Sequence, residues 1–485
     1  MKKEYWIILA IFILTLGCRL YFSFSTDSFS SDQAYYEIRH VEHIVEHKKP
    51  IFFDELSYGG REIIDTHVFH YFLAIFYLIS PIFAFKILPE ILLSSLVILV
   101  YLISRKITKN KTAALFAVLI SSFVPIFITN TVNQISVYSL VIPLFFYCIY
   151  CLLNLKKKYI HFLISFFFLV IIHPISIILS ISLIIFLILL NLESLRTHTL
   201  KKDIIIFSLL LSILINLIIF KRALLYYGFH IIFQNIPEIM RDVFFKNINV
   251  LDIIFNIGVL PIILGIIGYM FIIFKKKTSS VYLLSSIILT IFILLALKLI
   301  PFSMGLMFLG LMLAIISALA IEKLIQYINI TKFAKHKDLI LFSLTVLLVV
   351  TLIVPTMFNL QILKSKTISE PEVAALEWIK YHTPEDSVIL ADIDEGNYVM
   401  HISKRKDVAD NNFILAPNRY EDIEKAFTTE YYIKFSEVKN KYGIDYIYIS
   451  PNSKRKYDLE NFKPMTECVE NVFENEKSQI YKILC

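Results

Sequence analysis

The sequence predicts a polytopic α-helical membrane protein of about eleven spans, followed by a C-terminal external α/β domain. Three observations lead there. Hydrophobic residues make up 57% of the 485-residue chain and the mean hydropathy is +0.70, whereas soluble domains are roughly 45–50% apolar. Runs such as Ile7–Leu16, Leu92–Ile103, Ile204–Phe220 and Leu339–Val354 approach or reach the length that crosses a hydrocarbon core about 30 Å thick. After residue 358 the composition changes to that of an ordinary soluble chain.

The first span is expected at Tyr5–Phe24, with the N-terminus in the cytoplasm. No small-residue cleavage site follows it, so it is read as a retained span. Residues 25–67 hold nine acidic residues against four Lys or Arg. The basic clusters lie elsewhere, at Lys2-Lys3, Arg105 to Lys111, Lys156-Lys157-Lys158, Lys201-Lys202, Lys275-Lys276-Lys277 and Lys332 to Lys337. The positive-inside rule puts all of these in the cytoplasm and the acidic loop outside. If the apolar stretch His67–Phe85 crossed, every later cluster would fall on the wrong side, so it is expected to lie along the surface or re-enter. The first external loop is then 25–87. Further spans follow at about 88–104, 112–129, 135–154, 159–172, 174–192, 203–220, 251–274, 278–297, 303–321 and 339–358, with Pro174 ending a helix at a tight turn. The chain divides into a transmembrane domain, 1–358, and an external domain, 359–485. Topology accounts for the +7 net charge, so nucleic acid is not an expected partner.

In the tail, Pro371–His382, Tyr420–Phe427 and Glu430–Tyr442 are expected as helices. Ser387–Ala391 and Asp445–Ser450 are expected as strands, with Tyr481–Leu484 closing a small sheet. Of the five cysteines, Cys468 and Cys485 lie in the tail and can pair if it is external. None forms a metal-binding motif.

The spans are nearly free of charge, so chemistry is sought at their external edges. Asp32 lies in the first external loop, Asn133-Gln134 in the next, and Glu238 within Asn235-Ile236-Pro237-Glu238 in the segment 221–250. Two carboxylates with an amide suit a hard divalent cation, Mg²⁺ or Mn²⁺, which stabilises a leaving phosphate. The alternative for each residue is a solvated loop position. His40, His43 and His47 share one face of an expected helix and suit Zn²⁺. The more ordinary reading of this helix is an amphipathic surface helix packing Val41, Ile44 and Val45. Arg39 and Arg61 are candidates for phosphate contacts through a forked guanidinium, or for ion pairs within the acidic loop. His67 and His70 flank the apolar surface helix and are candidates for donor phosphate or for interfacial packing. Tyr35, Tyr36 and Tyr58 suit headgroup-level anchors or sugar-stacking residues.

The first external loop, Ser-Asp-Gln-Ala-Tyr-Tyr-Glu-Ile-Arg-His with Leu-Ser-Tyr-Gly-Gly-Arg at 56–61, resembles that of GT-C membrane glycosyltransferases. It is most similar to the catalytic subunits of oligosaccharyltransferases. Ala375 to Lys380, Thr383 to Leu390, Val408 to Asn412 and Lys441 to Tyr446 are similar to stretches around that family's acceptor-recognition motif. The resemblance implies that Asp32 is the essential aspartate that binds the metal and orients the acceptor, and that Glu238 is the glutamate of the flexible external loop. Three family patterns differ here, one being the arginine expected before the tenth span, where Lys298 and Pro301-Phe302 stand. Asn133-Gln134 stands where an acidic pair is expected. Ala391 to Tyr398, with Asp394 and Tyr398 as acceptor-binding candidates, replaces the two tryptophans followed by Asp-Tyr-Gly.

The expected activity is transfer of a sugar or oligosaccharide from a polyprenyl-(di)phosphate donor to a protein or glycan acceptor, at the external face of the cell membrane. The first alternative is a monosaccharide transferase using polyprenyl-phosphate-sugar and acting on lipid or glycan. A transporter or flippase of a lipid-linked substrate belongs to another class, and would place charged or broken-helix features near the bilayer midplane. A non-catalytic homologue keeping the scaffold is the last.

Overall fold

The computed structural model describes residues 3–64, 66–194, 199–233, 249–275, 278–365, 367–412, 419–459, 462 and 468–485. A helical bundle occupies the chain up to Ser365, and a mixed sheet with flanking helices occupies the rest. Each of the eleven apolar segments expected to cross is helical. Among the described residues, six helices are long and apolar enough for a span, or seven if the pair Val250–Ile257 and Val259–Phe274, bent by 100°, counts as one. The other expected spans are shortened for local reasons. Pro125 starts a new turn and divides 112–129 into Lys111–Ser122 and Pro125–Thr129. His173-Pro174 separates Leu155–Ile172 from Ser176–Leu192, since the residue before proline avoids the helical region.

The helix Phe302–Ile330 is apolar on all sides and buried over most of its length, so it is the centre of the bundle. The helices Lys201–Ile219 and Lys332–Lys364 show mostly exposed apolar side chains outward, as lipid contact requires.

Around the first loop, α1 (Lys3–Ser23) leads to α2 (Asp32–His47), then to a two-residue hairpin of β1 (Phe53–Asp54) and β2 (Arg61–Glu62), and then to α3 (Val68–Tyr77). The ten residues of α3 give a length of about 15 Å at 1.5 Å per residue, half of what crossing needs. The next span begins earlier than expected. Phe83–Thr108 is one continuous helical stretch, opening with a π-helical turn at Phe83–Ile87, so the loop ends at about residue 82 rather than 87.

Tail strands β3 (Val388–Leu390), β4 (Lys406–Asp407), β5 (Tyr446–Ile449), β6 (Val469–Glu474) and β7 (Gln479–Ile483) form one sheet in the order β4-β3-β5-β7-β6. The β3 pairings are parallel, and those of β7 are antiparallel. The expected helices appear as Glu370–His382, Arg419–Thr428 and Tyr432–Tyr442. Strands β4 and β6 are additions to the expectation. Cys468 and Cys485 are disulfide-bonded and tie the start of β6 to the chain end.

The first loop is built into this tail. Asp407 donates its backbone N–H to Leu56 O at 2.9 Å. Ser57 Oγ donates to Asp410 at 2.5 Å, and Tyr58 Oη donates to Asp410 O at 2.6 Å. Arg61 pairs with Asp410 at 3.0 Å, both side chains being buried. Breaking a buried pair leaves an uncompensated charge, which costs about 3–5 kcal/mol. Arg61→Ala is therefore expected to release the hairpin. The check is limited proteolysis, with new cleavage at residues 53–62 in the variant and none in the parent protein.

Candidate functional site

Asp32 is the first residue of α2, where a carboxylate suits the positive end of the helix dipole. Both of its oxygens are held by the tail helix Gly396–Ser403. Asn397 Nδ2 donates to one at 2.6 Å, and the Tyr398 backbone N–H donates to the other at 2.9 Å. Loss of solvent pushes the Asp32 carboxyl well above its ordinary value. The two hydrogen bonds oppose that rise, and the nearby Asp410 and Asp394 add to it. The result is a carboxylate with raised proton affinity where the bundle's loop meets the tail.

The surrounding packing is tight. A Cβ added at Gly396 would meet Ala409 O and Asp407 Oδ2 at 2.5 Å, so only glycine lets this helix start so close to Asp407. Burial also raises the Asp407 carboxyl well above its ordinary value, reinforced by Asp410 and Asp32. Of the two acceptor-binding candidates, Tyr398 touches Asp32 and sets its ring 5.9 Å from that of Tyr35. Asp394 is half-exposed and pairs with Lys456 at 3.1 Å. Gly396→Ala is expected to push the helix off Asp407 and loosen the Asp32 junction, lowering the melting temperature by several degrees, as a loss of one to two kcal/mol does (about 2–4 °C per kcal/mol in a domain of 150–250 residues).

The other candidate residues divide among three sites. Arg39 forms a two-pronged pair with Asp54, at 2.6 and 2.5 Å. Burial alone would raise the Asp54 carboxyl, but the Arg39 guanidinium more than offsets it and holds that carboxyl below its ordinary value. With Arg61 on Asp410, both arginines take the ion-pair role. Asn133 lies in a second network. Its Oδ1 accepts from Lys86 Nζ at 2.7 Å, its Nδ2 donates to Ser28 O at 2.9 Å and to Thr26 Oγ1 at 3.1 Å, and its backbone N–H donates to Glu90 at 2.9 Å. Gln134 donates to Thr129 O at 3.3 Å. Glu90 in turn holds Arg19 at 2.7 Å, both side chains being buried, and Arg19 reaches Thr131 Oγ1 at 3.0 Å.

Glu238 lies outside the described residues. The Asn133 oxygen that a cation would need already faces an ammonium group, so the described residues do not assemble a cage for Mg²⁺ or Mn²⁺ around Asp32. A hard cation takes about six oxygens.

His67 and His70 form the third site together with His40. The potential ligand atoms of the three lie within 4.8 Å of one another, and among the described residues this is the one group of three such side chains. The helical spacing that joins His40 with His43 and His47 in sequence does not join them in space. His43 and His47 stack on each other at 4.2 Å, whereas His40 stacks on His70 at 4.7 Å.

Sequence reasoning missed Asn397, Asp407, Arg19, Lys86 and Glu90 as site-forming groups. The last two carried a signal, because a lone charge in an apolar stretch such as Pro81–Leu93 seldom lies there without a partner.

No family model matches this sequence, and no curated protein matches it either. Solved structures do share its fold. The oligosaccharyltransferase of Archaeoglobus fulgidus, in apo form, aligns with TM-score 0.71 at 13% identity, over 93% of this chain and 70% of that one. The archaeal oligosaccharyltransferase AglB from the same organism, in complex with an inhibitory peptide and a dolichol-phosphate, gives 0.72, and a further structure of the first protein is a complex with Zn and sulfate. ArnT from Cupriavidus metallidurans bound to undecaprenyl phosphate aligns with TM-score 0.59 at 10% identity, over 99% of this chain and 98% of that one. The mycobacterial arabinofuranosyltransferase AftD gives 0.55 at 12% identity, over 99% of this chain and 42% of that one. The chain shares the fold of these membrane glycosyltransferases, and among its described residues six or seven helices are long and apolar enough to cross a membrane.

Proposed function

We propose that this chain is a GT-C glycosyltransferase that moves a sugar or oligosaccharide from a polyprenyl-(di)phosphate to an acceptor at the outer face of the membrane. The observation that carries the proposal is Asp32, a carboxylate of raised proton affinity joining the loop after the first span to the tail. The donor's lipid lies in the bilayer among the spans and its headgroup at the loop edge. The tail, external in this reading, presents the acceptor to Asp32 through the Tyr398 region. Glu238, from the segment 221–250, completes the site.

In the step itself, the acceptor's hydroxyl or amide bonds to the anomeric carbon while the bond from that carbon to the phosphate oxygen breaks. The lipid (di)phosphate leaves with the electron pair, and the acceptor's proton passes to the Asp32 carboxylate. General-base assistance of this kind is worth roughly 10²–10⁴ in rate. Relatives of the same fold that bind dolichol-phosphate and undecaprenyl phosphate support the donor class.

A second reading is favoured by one observation. Ala391 to Tyr398 stands where the oligosaccharyltransferase acceptor motif, two tryptophans followed by Asp-Tyr-Gly, is expected. A polyprenyl-phosphate-linked monosaccharide and a lipid or glycan acceptor then replace the oligosaccharide and the peptide.

The test is transfer in vitro by the purified full-length protein, with a native lipid extract as donor source and with peptide and glycolipid acceptors in separate arms. The pH profile adds a check. Because the folded Asp32 binds its proton more tightly than a free carboxyl, the base form is lost as pH falls through that raised value. Transfer is expected to rise with pH through a midpoint well above the ordinary aspartate value of about 3.9, then level off. The same raised value makes its contribution to stability largest in acid and lost as pH rises through it. A rate flat down to pH about 4 would overturn the base assignment.

A further inference from the structure

His40 stands on the third turn of α2 with its ring fully buried, and neither ring nitrogen has a hydrogen-bond partner. Buried polar atoms in native proteins are almost always satisfied, so an orphaned imidazole calls for a ligand. Two further imidazoles face it from the first turn of α3. His67 Nδ1 lies 3.2 Å from His70 Nδ1, and the ring centroids of His67 and His70 are 5.6 and 4.7 Å from that of His40. In a tetrahedral zinc site with Zn–N of 2.0–2.1 Å, neighbouring ligand nitrogens lie about 3.3 Å apart. The His67–His70 edge has that spacing already.

The surroundings fit the same chemistry. Glu37, one turn before His40 on α2, takes the far nitrogen of His70. Its Oε2 is 2.7 Å from His70 Nε2, and both side chains are buried. That contact fixes the tautomer of His70 and turns its Nδ1 lone pair into the cluster, as carboxylates do behind metal-bound histidines. Arg39 and Arg61 lie close enough to act on His40, yet each carries its own carboxylate, Asp54 or Asp410. No unbalanced positive charge therefore repels a cation. His67 is only half-buried and gives the cluster its opening. Three imidazole ligands with no oxygen ligand favour Zn²⁺ or a similar borderline ion over Mg²⁺ or Mn²⁺.

We propose that His40, His67 and His70 form a zinc site that ties α2 to the N-terminus of α3, with Glu37 orienting His70 and a fourth position open to a ligand from outside the chain. The site is distinct from Asp32. Eight residues of α2 separate His40 from Asp32, about 12 Å along the helix at 1.5 Å per residue. Zinc there holds the short apolar helix against the helix that carries Asp32.

The experiment uses the full-length, detergent-purified protein, stripped by a chelator and titrated with Co²⁺. Tetrahedral cobalt reports itself by an intense visible d–d band, and bound Zn²⁺ is counted by elemental analysis after dialysis. One equivalent is expected to bind to the parent protein and to Asp32→Ala, and to His43→Ala and His47→Ala alike. His40→Ala and His70→Ala should lose the band. Glu37→Gln should weaken binding about 10–100-fold, as loss of such an orienting carboxylate does. Zinc should raise the melting temperature of the parent protein but not of His70→Ala. A monodisperse parent protein that shows no band at stoichiometric cobalt overturns the proposal, whatever the variants do. So does an undiminished band in both His40→Ala and His70→Ala. Retention of metal by Asp32→Ala separates this result from the fate of the transfer reaction.

Discussion

Asp32→Asn is expected to reduce sugar transfer at least about 100-fold while leaving the protein folded. An amide cannot take the acceptor's proton, and general-base assistance is worth roughly 10²–10⁴. The variant keeps the geometry. Asn397 Oδ1 is buried without a partner, so a flip of that amide lets it accept from an asparagine at position 32 while the Tyr398 N–H keeps its acceptor. Asp32→Ala removes both bonds to the tail and adds a structural loss, so the two variants separate chemistry from anchorage. Equal transfer by the parent protein and Asp32→Asn, at matched melting temperatures, would sink the base assignment. Equal loss in both, with the melting temperature lowered only in Asp32→Ala, is the expected pattern.

Glu90→Leu is expected to destabilise the bundle by about 3–5 kcal/mol. Arg19 and Glu90 are almost completely buried and 2.7 Å apart. Removal of one partner leaves a charge that no water reaches, and that is the costly case. The loss extends past the pair, because Glu90 also accepts from the Asn133 backbone, and Asn133 holds Lys86. The double variant Arg19→Met with Glu90→Leu should recover most of the stability, since replacing both members of a buried pair is often nearly neutral. The measurement is a thermal or denaturant transition in detergent for the parent protein and both variants. An effect below about 1 kcal/mol for Glu90→Leu would mean that the pair acts as a surface pair does.

The sequence made the bundle legible because hydrocarbon length is a local property. The apolar segments read from the sequence are helical, six or seven of them long and apolar enough to cross among the described residues, and α3 has the short length that charge parity predicts. It made the ends of those helices less legible. The π turn at Phe83–Ile87 begins a span five residues early, and nothing in Ile82–Leu88 announces it. In the tail, β4 has two residues and β6 carries Glu470 with an irregular register between Asn471 and Phe473, so neither shows the alternation that reveals a strand.

The candidate site divides in the same way. Asp32 was visible as a carboxylate beside a span, and its contact with the tail fits the layout that the resemblance implied. The partners of the other residues were not visible. Arg19 and Glu90 are 71 residues apart, Lys86 and Asn133 are 47 apart, and His40 is 27 residues from His67. Only the packed bundle chooses such pairs. Helical spacing drew attention to His43 and His47, which face outward, because periodicity describes one helix and not what packs against it.

The hairpin at Phe53–Glu62 has a consequence for the order in which the protein is made. Ser57 and its partner Asp410 are 353 residues apart in the chain, and at synthesis rates of about 5–20 residues per second the hairpin waits roughly 20–70 s for its other half. Arg39 and Asp54, only 15 residues apart, can close during that time and pin the hairpin to α2. Arg61 has no such early partner among its bonds across the chain, since each of these reaches Asp410 or Asn412. Until the tail emerges it has the nearby Ser57 hydroxyl, at 2.6 Å, but not its carboxylate partner Asp410. That interval is when a chaperone or the insertion machinery has most to shield, and a stop codon before residue 410 would leave the loop permanently unfinished.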